Sequence, residues 1–557
     1  MAKRLAVTIA GAVSLGSYEA GVLYEVLDAI HQHNSNPATL PDDRIEIDVL
    51  TGASAGGMTA IILGQKLLFS ADEFLGPYDN PVYNCWVKGI SLEALQQTQA
   101  DEPALHSVFS SDLIEQIAEN VIKARYRTAP PPPPVRHSAA ADTIRLGVAL
   151  TNLNGVDYGY AVKPDGKFIY IRYGDQMTRV ASAASDNADF WEPLRQAAVA
   201  CGAFPFAFRS QDLQRSAKAE PQDYPAPNLE PWDHDPKTFT YSDGGILQNQ
   251  PIGMAKNLVD LIDDHDNQES RYYLFVSPNA KDATANDNFH EANADYFHLL
   301  ERLAGVVIGQ SEFQDWITAE SLNMKVGLLD ARADGLRDAI LAGNINIQAL
   351  QTTADALLAL FFPGGAHTSP GATGPETLDD ARARIARQYS AEMAALAAVP
   401  GQAEAFRDAV LAFETAAGLG ARDHMEIYGI TAMDSQLAGA GLQYFLGFFD
   451  QTFRDHDYDV GRTHAREFLT NPALGQPGAI GPLHLNPVQS DIHPIDHRLD
   501  GLKLRDVPQD DLNNFKNGVK HRVNQMLKEL IGGWSILTDP AADGLVSVAL
   551  DQVIAKL

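Results

Sequence analysis

The sequence predicts an α/β protein whose first half builds a parallel sheet with helices on both faces. Two stretches carry this prediction. Residues 5–10 form an apolar run that ends in a glycine-bearing loop, 11–16, and Val22, Leu23, Val26, Leu27 and Ile30 then recur at helical spacing. Residues 45–50 form a second run, alternating at first and fully apolar at its end. It leads into Gly52-Ala53-Ser54-Ala55-Gly56 and a segment with Met58, Ile61, Ile62 and Leu68. Strand, loop, helix, strand, turn, helix is the order in which a chain winds a covered parallel sheet.

The later elements follow in order. Residues 129–142 contain five consecutive prolines and read as a stiff surface connection without chemistry. Residues 143–150 form a third strand. Residues 160–162 and 168–173 flank Pro164-Asp165-Gly166, a hairpin signal. Residues 187–201 read as a helix, and the polar, proline-rich stretch 211–236 as a loop or insertion. Residues 237–242 lead as a strand into Asp243, and 272–276 form another short strand. Past about residue 285 helical patterns dominate, as in 296–308, 331–341 and the alanine-rich 378–416. A loop rich in Gly, Pro and Thr covers 362–377, a strand at 425–430 is available to the first sheet, and 512–530 form a closing helix. The chain is thus divided into a first domain, 1–284, and a mostly helical region, 285–557, serving as a cap or an oligomer surface.

Composition narrows the function. The net charge of −30 disfavours nucleic acid and electrostatic anchoring to anionic membranes. It leaves open a lipid substrate drawn in by apolar contacts, with transient membrane or micelle contact. Two cysteines, Cys85 and Cys201, imply neither a disulfide framework nor a zinc cluster, and fit a reducing compartment. The start, Met1-Ala2-Lys3-Arg4 before an apolar run, imitates a signal peptide but lacks a clear small-residue cleavage site. No run of about 18 apolar residues is present. A cytoplasmic location is therefore expected. No cofactor and no metal are expected either: Asp263-Asp264-His265-Asp266 reads as a solvated acidic run at a helix end.

The chemistry concentrates at Ser54. A nucleophile on a tight strand-to-helix turn is pushed into the cleft, and small neighbours let substrate approach the backbone. The helix N-terminus adds free N–H groups and positive potential where negative charge develops. Gly52, Gly56 and Gly57 supply the space. Only two strands fit before Ser54, which argues against the α/β-hydrolase fold and its Ser…Asp…His order. His484, His493 and His497 do lie downstream, among Pro482, Pro487 and Pro494, and read as surface or structural residues. The loop at 11–16 lacks the lysine and the spacing of a nucleotide-binding loop.

These residues resemble the patatin-like phospholipase family. Gly11-Ala12-Val13-Ser14-Leu15-Gly16, followed by Gly21-Val22-Leu23, sits where that family has its glycine-rich oxyanion loop. Gly52 to Gly56 matches its nucleophile motif. Ala200-Cys201-Gly202-Ala203-Phe204-Pro205 with Phe208 is similar to its A-S-x-A-x-P-x-x-F block, and Asp243-Gly244-Gly245 with Asn249 and Pro251 to its D-G-G-x-x-x-N-x-P block. Thr151-Asn152-Leu153-Asn154-Gly155 is similar to a family strand end. The resemblance covers about the first half of the chain, so that 1–284 would be the patatin-like catalytic domain. A fainter similarity to the tail of a bacterial branch of patatin-like proteins runs from Leu437-Ala438-Gly439 to Phe449. It continues through Phe453-Arg454 and Asp457-Tyr458 to Gly461-Arg462, where core packing and an ion pair are the expected roles.

The resemblance implies a three-layer α/β/α sheet with a mostly helical C-terminal extension, and a serine lipid acyl hydrolase with a Ser-Asp dyad. Ser54 would attack an acyl ester and Asp243 would take its proton. Backbone N–H groups of Gly11, Ala12 and Val13 would hold the oxyanion, with Gly52, Gly56, Gly244 and Gly245 in support. The loop departs from the family pattern: Ala12 and Val13 replace glycines, and Leu15 replaces a basic residue. A β-branched residue at positive φ is an outlier, so Val13 is expected at ordinary φ unless the hole is built differently. Cys201 in place of the family's serine reads as a small core residue. Two alternatives stand beside the hydrolase: an inactive patatin-fold binding protein, and a Ser-His-Asp carboxylesterase using one of the three histidines.

Overall fold

The computed structural model describes residues 2–98, 102–162, 166–217, 232–262, 271–280, 289–290, 296–367, 376–419, 427–471, 485 and 490–530. Strand β1 (Lys3–Ile9) pairs in parallel with β2 (Ile45–Gly52), Ile9 opposite Gly52. In turn β2 pairs in parallel with β3 (Ala140–Val162), Gly52 opposite Val148. Leu5, Val7, Ile9, Val49 and Leu50 are all buried, because a parallel sheet is covered on both faces. The crossovers are helices α1 (Gly16–Ser35) and α2 (Ser54–Phe69).

Beyond β3 the sheet turns antiparallel. β4 (Gly166–Ser182) folds back along β3 from Val162 opposite Gly166 to Thr143 opposite Ser182. The hairpin expected there is present, and its turn at 163–165 lies outside the described residues. β6 (Lys237–Asp243) runs antiparallel to β3, Asp243 opposite Leu150, and β5 (Gln211–Arg215) runs antiparallel to β6. With β7 (Arg271–Ala280) and β10 (Ile427–Met433), the sheet has the order β10-β7-β1-β2-β3-β6-β5, with β4 attached to β3. The short strands β8 (Ala366–His367) and β9 (Glu376–Thr377) form a separate pair. The result is a mixed parallel and antiparallel sheet flanked by helices, carrying a helical C-terminal region.

One detail of this sheet positions the site. β4 occupies one edge of β3 along 143–151. The other edge is shared: β2 takes residues 145–148 and β6 takes 150–152. β2 and β6 run in opposite directions, so their last residues meet beside the middle of β3.

The strand β5 corrects the loop expected over 211–236. Gln-Asp-Leu-Gln-Arg looks polar, but Leu213 is buried and Arg215 is fully enclosed. Arg215 Nε donates to Asp175 Oδ2 at 2.7 Å, which lets a charged residue occupy a core position. The two helical patterns at 296–308 and 331–341 belong to one helix, Tyr296–Leu341. The run 263–266 and His484 lie outside the described residues.

The chain divides into two compact units. One comprises Met1–Pro251, Leu274–Phe313 and Tyr428–Leu557, the other Ile252–Tyr273 and Gln314–Ile427. The first unit therefore takes residues from both sides of the 284/285 division. Within it the helix Gln451–Leu469 packs along α1. Buried Arg462 and neighbouring Arg466 both bond to buried Glu25, at 3.1 and 2.8 Å, which accounts for the ion pair expected in the 453–462 pattern. The second unit packs helices around Leu358, Ile385, Phe406 and Val410, and buried Arg384 is held between Glu376 and Glu414. Among the described residues no helix is long and apolar enough to cross a membrane.

Candidate active site

Ser54 is the first residue of α2, two residues past the end of β2. Its φ is +49°, a left-handed conformation that costs a non-glycine residue about 1–3 kcal/mol and persists only where surrounding contacts impose it. Those contacts are visible. Ala53 N–H donates to the Ile9 carbonyl at 3.2 Å, and Gly57 N–H to the Ala53 carbonyl at 3.1 Å. The turn lies so close to the end of β1 that a Cβ on Gly56 would sit 2.3 Å from the Ala10 oxygen and 2.4 Å from that of Ile9.

Asp243 ends β6 and meets Ser54 beside β3. Ser54 Oγ donates to Asp243 Oδ2 at 2.7 Å, and the other carboxylate oxygen accepts the Gly245 N–H at 2.7 Å. Thr151 Oγ1 donates to the Asp243 carbonyl at 2.8 Å, and Asp243 N–H donates to the Ala203 carbonyl at 3.0 Å. The last contact ties the Asp-Gly-Gly block to the block at 200–208. Burial pushes the Asp243 carboxyl up to about 7, against the opposing pull of its bonds from Ser54 and Gly245. Cys201 packs beneath both groups with no solvent exposure; a Cβ on Gly57 would lie 2.5 Å from its Sγ, and burial pushes its thiol well up.

The oxyanion loop departs from the expectation in two ways. Gly11 N–H is committed to the Asn249 carbonyl at 3.0 Å, so this donor is removed from the expected set. The N–H groups of Ala12 and Val13 make no hydrogen bond among the described residues and stay available. Val13 does not adopt ordinary φ: it sits at +50°. Of the three N–H groups expected to form an oxyanion hole, two are open, and the valine among them is strained. Two residues of the quoted motif blocks had been given no role by the sequence reading. Asn249 backs the loop, its Nδ2 donating to the Gly11 carbonyl at 3.4 Å, and a Cβ on Gly11 would come within 2.0 Å of its Oδ1. Ala55, in the first turn of α2, offers a further N–H without a partner among the described residues. The residue after a nucleophile on such a turn commonly plays this part, and that was the signal available.

Ser54 borders a pocket with a largely apolar lining. Val13, Met58, Trp86, Ile114, Phe204 and Phe448 are among its walls. Trp86 Nε1 donates to Thr59 Oγ1 at 2.8 Å, so its ring is fixed. An apolar lining of this kind suits an alkyl chain. Among the described residues no histidine bonds to Ser54 or Asp243. His493 stacks on Tyr78 at 4.0 Å, and exposed His497 pairs with Asp500 at 2.9 Å. Among the described residues no group of His, Cys, Asp or Glu is arranged to hold a metal ion.

A serine on a strand-to-helix turn, hydrogen-bonded to a buried carboxylate and bordering an apolar pocket, is an arrangement suited to nucleophilic chemistry. Residues 7–256 match the family model of patatin-like phospholipases, and the chain has a long extension beyond that match. It is 23% identical over 326 residues to an uncharacterized protein of Sinorhizobium fredii, covering 45% of each chain. It is 25% identical over 368 residues to an uncharacterized membrane protein of Mycobacterium tuberculosis, covering 59% of this chain and 32% of that one. The chain thus spans less than half the length of these relatives. VipD from Legionella pneumophila aligns over 100% of this chain and 85% of its own, at 11% identity and a TM-score of 0.22.

Proposed function

We propose that this chain hydrolyses carboxylic esters of lipids through Ser54 and Asp243. The observation that carries the reading is the 2.7 Å hydrogen bond from Ser54 Oγ to a fully buried carboxylate at the mouth of an apolar pocket. The acyl chain lies in the pocket. Ser54 Oγ attacks the ester carbonyl as Asp243 takes the hydroxyl proton, and negative charge develops on the carbonyl oxygen. The open N–H groups of Ala12, Val13 and Ala55 receive that charge. Collapse of the intermediate breaks the ester C–O bond, and Asp243 gives its proton to the departing alcohol. A water molecule, deprotonated by Asp243, then attacks the acyl-enzyme; Ser54 leaves and regains the proton.

A carboxylate suits both roles only if its affinity for protons is close to that of the medium. Desolvation supplies this, since the carboxyl titrates at about 7. No charged side chain lines the pocket, which fits recognition through the acyl chain.

Intact-mass detection of a fluorophosphonate adduct tests the reading without choosing a substrate. One adduct is expected on the wild type, none on Ser54→Ala, and greatly slowed labelling on Asp243→Ala. A folded wild type that takes no adduct would sink the hydrolase reading and favour a binding role for the same pocket.

A further inference from the structure

The segment from Leu437 to Asp457 had no chemistry in the sequence, and it packs directly against the oxyanion loop. Ser14, the residue after strained Val13, is fully buried. Its hydroxyl donates to the carbonyl of Tyr444 across a separation of 430 residues. Tyr444 itself has φ +69° and ends the short helix Gly441–Tyr444. Backbone lies against loop with no room between them. A Cβ on Gly447 would stand 2.6 Å from Ser14 Oγ, and one on Gly439 2.9 Å from Leu15 Cδ2.

The segment is itself held. Asp457 accepts the N–H groups of Ala438 and Gly439 at 2.7 and 2.9 Å. Buried Arg454 donates to the carbonyls of Gly447, Asp450 and Val87 at 2.7, 3.1 and 2.9 Å. Phe448, next to Gly447, is a wall of the apolar pocket. The oxyanion loop is therefore pinned at both ends: at Gly11 by Asn249, and at Ser14 by Tyr444. Between these points stand the two open donors, Ala12 and Val13.

We infer that this C-terminal segment is a positioning element of the active site, acting through the Ser14–Tyr444 hydrogen bond to keep the strained loop in shape; the inference rests on the hydrolase reading above. A valine at φ +50° relaxes unless its neighbours forbid it. Relaxation would turn the Val13 N–H, and a lost oxyanion donor costs about 10²–10³ in rate in other enzymes. A tether at the adjacent residue forbids that turn.

The test uses the full chain and p-nitrophenyl butyrate, with active serines counted by fluorophosphonate. Ser14→Ala is expected to lower kcat per active serine about tenfold or more. KM stays within about twofold, and the rise of activity near pH 7 stays where it is, because Asp243 is untouched. Gly447→Ala keeps Ser14 but displaces the segment, and carries the same expectation if Ser14→Ala does not fold. A purely structural contact would reduce the melting temperature or the count of active serines while leaving the rate per serine unchanged. That result, in folded Ser14→Ala or Gly447→Ala, overturns the inference alone. A wild type that is not acylated overturns the hydrolase reading and the inference together.

Discussion

Replacing Asp243 by Asn should stabilise the protein while removing its reactivity. The carboxyl titrates at about 7 in the fold instead of its ordinary 3.8, because burial disfavours the charged form. The sign follows from proton binding. Between about pH 4 and pH 7 the folded chain holds a proton that the unfolded chain has released. Stability from this group is fully present below pH 4, falls as pH rises through that window, and is lost above 7. The difference of about 3 in pH corresponds to roughly 4 kcal/mol at 1.36 kcal/mol per tenfold. Asparagine escapes that cost at every pH. Its oxygen can accept the Gly245 N–H and its amide can donate to Ser54 Oγ, so the bonding loss is about 1 kcal/mol. The net gain at pH 8 is then about 3 kcal/mol, or a melting temperature higher by roughly 3 °C for a chain of this length. Thermal melts of wild type and Asp243→Asn at pH 4, 6 and 8 would read this directly. The gap should open with rising pH while fluorophosphonate labelling of the variant stays low. A gap that is flat with pH, or that closes as pH rises, would refute the burial argument.

Other outcomes follow from the same geometry. Because Ser54 sits at φ +49°, Ser54→Gly should melt higher than Ser54→Ala by the equivalent of about 1 kcal/mol, both variants being inert. Equal melting of the two would remove the strain. Phe448→Ala enlarges the apolar pocket; kcat/KM for a long-chain p-nitrophenyl ester should fall about tenfold relative to the acetate ester, and an unchanged ratio would take Phe448 out of chain recognition. His493→Ala and His497→Ala should keep labelling within about threefold of the wild type, since their partners are Tyr78 and Asp500. Loss of labelling in either would revive a histidine base.

Much of the first half was legible because its physics is local. Residues 5–10 and 45–50 are apolar enough to be strands covered on both faces, and the glycines around Ser54 announce a turn packed against backbone. The Asp-Gly-Gly block, read beside it, supplied the second group. What the sequence hid is set by distant contacts. β5 looked like loop because its core position is an arginine, tolerable only with Asp175 beside it. Val13 was expected at ordinary φ because a β-branched side chain prefers it; Tyr444, hundreds of residues away, bears on the outcome. Gly11 was counted as a donor because it opens the loop that the family resemblance assigns to the oxyanion, yet Asn249 uses its N–H. Spacing along a chain does not say which hydrogen bonds are already taken.

The meeting of β2 and β6 beside β3 also sets when this site comes into being. During synthesis, the turn bearing Ser54 emerges early, with β1 and β2. Its carboxylate partner arrives only with Asp243, after the whole of β3, β4 and β5 have been made. The second anchor of the oxyanion loop comes later still, with Tyr444. A chain cut at residue 256, where the family match ends, would keep Ser54 and Asp243 yet lose Tyr444 and Phe448. On the proposed mechanism, a chain that has not yet reached Asp243 carries Ser54 without its base.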